Sequence, residues 1–152
     1  YGADTGEGDS FTPDVGAAYI FTLVNGRWQA TAKLMASDAA QDDYFGWAVA
    51  IDERTAVVGA RHDDNFRGAD AGTAYVFSLR NNSWRETTRL VAMNRGVNTN
   101  FGFVLDIDGP RIVVGTPRDS AYIFEQTGGE WRQTANVSGG GGAGEGFSAC
   151  CQ

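Results

Sequence analysis

The sequence predicts an all-β fold of repeated four-stranded antiparallel units, and three observations carry that prediction. The first is an internal repeat. "GAAYIFTLVNGRWQATAKL" at 16–34 returns as "GTAYVFSLRNNSWRETTRL" at 72–90 and as "SAYIFEQTGGEWRQTANV" at 120–137, so Tyr19, Tyr75 and Tyr122 correspond, as do Trp28, Trp84 and Trp131. Tyr19 to Tyr75 is 56 residues and Tyr75 to Tyr122 is 47, a period typical of solenoids and propellers. The second is turn chemistry: six residues after each tyrosine stand Asn25-Gly26, Asn81-Asn82 and Gly128-Gly129, pairs that accept the positive φ of a two-residue hairpin. The third is "WAVAI" followed by "TAVVGA", apolar on both parities, whereas a strand with one wet face alternates. Strands of this kind need cover on both faces.

Taken in order, the unit that opens at Phe45 reads as four strands, "FGWAVAI", "TAVVGA", "AYVFSL" and "SWRETTRLVA", each rich in β-branched and aromatic residues. Asp52-Glu53 turns the first hairpin, with Asp108-Gly109-Pro110 as its counterpart in the next unit. The fourth strand alternates and carries most of the charge, as befits an exposed edge. Four-stranded units covered on both faces by their neighbours are propeller blades. Starting each blade at Phe45, Phe101 and Phe147 gives a partial blade over 1–44, blades over 45–100 and 101–146, and the first strand of another at 147–152. About three blade-equivalents are present, an incomplete or oligomeric propeller, because closure takes at least four. Two expectations stay open. Either the chain is part of a longer propeller, or the "FSACCQ" strand of one molecule enters the unfinished N-terminal blade of another.

Phe45-Gly46 followed by Val58-Gly59-Ala60, and Phe101-Gly102 followed by Val114-Gly115-Thr116, resemble the FG-GAP repeat of integrin α-subunit head propellers. With Tyr75, Phe77 and Trp84, and with Tyr122 and Trp131, the combination is most similar to FG-GAP repeats of microbial and algal surface proteins. The resemblance covers essentially the whole chain. It implies a β-propeller fold, an extracellular or cell-surface location, and a structural or adhesive role. The integrin-type Ca²⁺ loop is not carried over, since "IDERT" and "IDGPR" are short and poor in oxygen ligands. The third copy replaces the motif glycine with Ser148.

Composition narrows the classes further. The 19 acidic and 12 basic residues give a net charge of −7 with the basic residues scattered singly, which argues against nucleic acid as a partner. No apolar run approaches the ~20 residues of a membrane helix, so membrane insertion is not expected. Cys150 and Cys151 are adjacent and join no distant parts of this chain.

Candidate chemistry is sparse. His62, the sole histidine, lies in "RHDDNFRGAD" with Asp63, Asp64 and Asp70, and without a second histidine or a cysteine ligand the group reads as a solvated loop. The loops bearing Asp4, Glu7 and Asp9, and Asp38, Asp42 and Asp43, do not match the calcium pattern, leaving at most weak surface Ca²⁺ binding. "SGGGGAGEG" lacks the lysine and helix of a phosphate loop. Trp28, Trp84 and Trp131 share one register and are read as packing residues. Asn81 and Asn136 open N-x-S sequons and are the candidate glycosylation sites. No catalytic, cofactor or metal residue is assigned. The expected partner is a protein, a glycan, or another copy sharing strands. The runner-up is a ligand-binding or regulatory propeller attached to a separate enzyme domain.

Overall fold

The computed structural model describes residues 15–138 except 95 and 119. These form ten strands, β1 (Ala18–Val24), β2 (Arg27–Leu34), β3 (Phe45–Asp52), β4 (Thr55–Ala60), β5 (Thr73–Arg80), β6 (Ser83–Leu90), β7 (Val104–Asp108), β8 (Arg111–Gly115), β9 (Ser120–Thr127) and β10 (Glu130–Ser138). Among the described residues there is no helix. The strands make two four-stranded antiparallel sheets, β3-β4-β5-β6 and β7-β8-β9-β10, preceded by the β1-β2 hairpin. Each four-stranded sheet has the meander order of a propeller blade.

The tyrosine-to-tryptophan hairpins turn where the sequence places them, with positive φ at Asn25, Gly26, Asn81, Asn82, Gly128 and Gly129. The inner hairpins turn one residue later than expected. Glu53-Arg54 and Gly109-Pro110 lie between paired Asp52–Thr55 and Asp108–Arg111. Glu53 and Gly109 supply the positive φ, so the aspartates remain in the ladder. The strand after Phe101-Gly102 also begins late, at Val104.

One device recurs in all three outer hairpins. The ladder shifts register between Ile20 and Phe21, between Val76 and Phe77, and between Gln133 and Ala135, which face Phe124 and Ile123. The extra residue is Thr31, Thr87 or Thr134, and each donates its hydroxyl to the carbonyl of Ile20, Val76 or Ile123 at 3.2 to 3.4 Å. A threonine three residues after each tryptophan therefore secures a β-bulge, which raises the local twist.

Two apolar layers lie between successive sheets. Ala18, Leu34 and Ala36 of the first hairpin meet Phe45, Ala56, Val58, Tyr75 and Phe77. Val57, Val76 and Leu90, from the opposite face of the same blade, meet Phe101, Ile107, Ile112, Tyr122 and Phe124. Phe45 stands edge-on to Tyr75 at 5.4 Å and to Phe77 at 6.1 Å, and Phe101 repeats this with Tyr122 at 5.4 Å and Phe124 at 5.9 Å. The motif phenylalanine is thus the plug between inner and third strands. Its glycine permits the next blade to approach: Gly102 has φ +89°, and a Cβ on Gly59 would lie 2.2 Å from the Gly102 carbonyl oxygen.

The expectation that both faces of every inner strand are covered needs correction. Val49 and Ile51 are exposed, although their counterparts Leu105 and Ile107 pack between the blades. Tyr19 and Phe21 are likewise 55% and 58% exposed where Tyr75 and Phe77 are 0% and 3%. Trp28, read as a packing residue, is 71% exposed, whereas Trp84 and Trp131 are partly buried against the cores. The common cause is that β1 and β2 have no inner strands beside them among the described residues.

Candidate functional site

The strongest site candidate lies at the start of β3, where the ladder pairs Phe45 with Ala60 and then Ala48 with Gly59. Gly46 and Trp47 are left over as a bulge, and the Trp47 side chain stands 45% exposed. Beside it, Tyr44 has φ +57°, a region costly for a bulky residue. Its counterpart Asn100, at φ +51°, is a residue type suited to that conformation. Tyr44 accepts the Trp47 amide at 3.1 Å through its carbonyl and places its ring 6.1 Å from the indole, at 84°.

The loop after β4 completes the group. Its His62 amide donates to the Asp43 carbonyl at 3.2 Å, and Asn100 donates to the Arg61 carbonyl, also at 3.2 Å. With its backbone held at both points, Arg61 lays its guanidinium 3.9 Å from the centre of the Trp47 ring and 4.8 Å from that of Tyr44. His62 meets Tyr44 edge-on at 4.8 Å. From the next blade Phe103 comes within 5.6 Å of Trp47 at a 36° tilt, its amide donating to Gly115. The result is a platform of three aromatic rings and a stacked cation across two blades. None of these residues was singled out for binding from the sequence, apart from His62 in another role.

The acidic residues of that neighbourhood are structural. Asp63 is buried and accepts the Thr73 hydroxyl at 2.5 Å and the Tyr75 hydroxyl at 2.9 Å. Burial pushes the Asp63 carboxyl above the usual carboxylate range and the Asp38 charge adds to this, while the bonds from Thr73, Tyr75 and Asn65 oppose it. Asp43 is raised too, chiefly by burial, against the bond it accepts from the Ala40 amide. The Tyr75 hydroxyl also lies 3.0 Å from Asp38; its own ionisation is pushed up by burial and by Asp63. Burial opposes the charge of Arg89, but Glu86 and Asp38 outweigh it and hold the guanidinium firmly protonated. Asp38, Asp63, Asn65, Thr73 and Arg89 border a cleft of about 250 Å³.

His62 does not join Asp63 and Asp64 in a metal site. It pairs with Asp70 at 3.6 Å, Asp64 accepts the Asp70 amide, and Asp63 accepts from Thr73 and Tyr75. Among the described residues no group of histidine, cysteine and carboxylate side chains is arranged to hold a metal. Of the repeat-defining residues, Phe45, Ala60, Tyr75, Phe77, Phe101 and Tyr122 are buried. Gly46, like Gly102, sits at positive φ. Asn81 lies exposed in a hairpin turn and Asn136 exposed on β10. Phe147, Cys150, Cys151, the strand at 147–152, the glycine-rich loop beyond 138 and the loop with Asp4, Glu7 and Asp9 lie outside the described residues.

Residues 28–77 match the family model described as FG-GAP repeat. This segment is similar to an FG-GAP repeat. The match begins in β2, on the outer strand of one unit, and ends in β5, the third strand of the next. The matched segment therefore spans a blade junction and contains most of the layer where Leu34 meets Phe45, Val58 and Phe77, with Ala18 and Trp84 of that layer outside it. It also contains Tyr44, Trp47, Arg61 and His62, leaving Phe103 outside. No curated protein matches the chain significantly.

Proposed function

We propose that this chain is a non-enzymatic interaction module of propeller type, acting outside the cell or at the cell surface as a structural or adhesive element. The observation that carries the proposal is the Tyr44–Trp47–Phe103 platform with its stacked Arg61. Half-exposed aromatic rings are costly in water and are typical of binding surfaces. Here they are fixed at the junction of two sheets, which spares a ligand the cost of ordering them. The FG-GAP repeat supports the propeller-type setting. The Asp63–Tyr75–Asp38 network spends its hydrogen bonds internally and offers no activated nucleophile. The test is display of the full chain to panels of surface proteins and glycans, beside Trp47→Ala. Binding that depends on Trp47 is expected; binding indifferent to it removes the platform from the function.

A second reading, self-association, rests on a different observation. Val49, Ile51, Tyr19 and Phe21 are exposed where equivalent residues are covered, and a mainly apolar cleft of about 290 Å³ opens between β1 and β3–β4. A strand from another copy fits that place by the repeat's own register.

A further inference from the structure

We propose that the platform is a subsite for an acidic saccharide, the C–H face of a hexuronate lying on Trp47 and Phe103 with its carboxylate on Arg61. This rests on the reading of the chain as an interaction module and names its ligand class. The first argument is repeat logic. Tyr44, Trp47 and Arg61 occupy positions filled in the next unit by Asn100, Phe103 and Pro117. The shared blade packing, set by Phe45 or Phe101 with the tyrosine and phenylalanine of the third strand, does not require them. What varies between units while the packing stays constant is free to serve a ligand.

The second argument is the state of Arg61. Its guanidinium carbon lies over the Trp47 and Tyr44 rings, contacts that use none of the N–H donors with which arginine bonds carboxylates. Among the described residues no carboxylate pairs with it, and its buried Nε has no hydrogen-bond partner. Neighbouring acids are committed elsewhere: Asp43 to the Ala40 amide, Asp63 to Thr73 and Tyr75, Asp64 to the Asp70 amide, and Asp70 to His62. A guanidinium over two rings with no carboxylate partner, in a chain of net charge −7, is suited to one anionic group rather than many. That excludes a polyphosphate, which needs a basic patch. A hexuronate brings a single charge and an apolar ring face together.

The test is titration of the full chain with a hexuronate oligosaccharide and with a neutral hexose oligosaccharide of equal length, followed by calorimetry and indole fluorescence. The hexuronate is expected to bind more tightly. Arg61→Gln is expected to weaken it at least tenfold and to affect the neutral oligosaccharide far less, Arg61→Lys to recover part of the loss, and Trp47→Ala to abolish both. An unchanged thermal midpoint certifies that each variant is folded. Equal binding of the two oligosaccharides, indifference to Arg61→Gln, or binding of neither overturns the assignment. If Trp47-dependent capture of a defined protein persists in any of those cases, the interaction module stands and only its saccharide class falls.

Discussion

Tyr75 has one hydroxyl proton and two carboxylates within reach, Asp38 at 3.0 Å and Asp63 at 2.9 Å. With both ionised, one acceptor goes without a full bond. With Asp63 protonated, its hydroxyl donates to the phenol oxygen and the phenol donates to Asp38, so every group is served. That matches the raised position of the Asp63 carboxyl. A carboxyl raised in the folded state contributes stability that is complete below its unfolded value and is lost as pH rises through the folded one. Asp63→Asn reproduces the protonated arrangement, its oxygen taking the Thr73 proton and its amide donating to Tyr75. The variant is therefore expected to gain stability relative to the parent as pH rises from about 4 to 7, read from urea midpoints across that range. Asp63→Ala leaves the Thr73 hydroxyl unserved and is expected to cost about 1–3 kcal/mol. A difference between Asp63→Asn and the parent that does not change with pH refutes the proton assignment. Gly59 gives a sharper steric case. A Cβ there meets Gly102 backbone at 2.2 Å, which only separation of the blades relieves, so Gly59→Ala is expected to lose at least about 1–3 kcal/mol by the same measurement.

At the scale of the element, equivalent residues are not energetically equivalent. Phe21 and Phe77 hold the same place in the repeat, yet Phe77 meets Phe45 edge-on and is 3% exposed while Phe21 is 58% exposed. Phe77→Ala is expected to cost about 3–5 kcal/mol and Phe21→Ala within about 0.5 kcal/mol, compared by chemical denaturation. Similar losses at both sites would mean that the β1–β2 hairpin is covered in solution. Local patterning made the strands and outer turns readable, because Asn25-Gly26, Asn81-Asn82 and Gly128-Gly129 act through their own φ angles. The bulge threonines were present in the same aligned repeats, but their role depends on a cross-strand carbonyl that a one-dimensional pattern does not display. The exposure of Trp28 was hidden for a related reason: register predicts which residues pack alike only when each unit has the same neighbours. The platform was hardest to read. Tyr44, Trp47, Arg61 and Phe103 come from three turns and a bulge, and they break the repeat that guided the rest.

For the molecule as a whole, the two apolar layers show what a blade needs: Leu105 and Ile107 are covered by the blade before them, as Val49 and Ile51 are not. Exposed β-branched residues on a strand, beside an edge of β1 that is unpaired among the described residues, offer a template for another strand. Filling it restores the environment that Leu105 and Ile107 already occupy, and the gain grows with the apolar area removed from water, about 25 cal/mol per Å². Such a contact would be heterologous, because the filled face and the strand that fills it are different surfaces, and it would build a ring or a filament rather than stop at a symmetric pair. Light scattering on the full chain is expected to show a mass that rises with concentration, in steps beyond a dimer. Val49→Glu with Ile51→Glu places two charges in the cleft, and both residues are already exposed, so the fold is expected to survive while the mass falls toward 16.2 kDa. A parent chain that stays at 16.2 kDa at every concentration rules out self-association through this face.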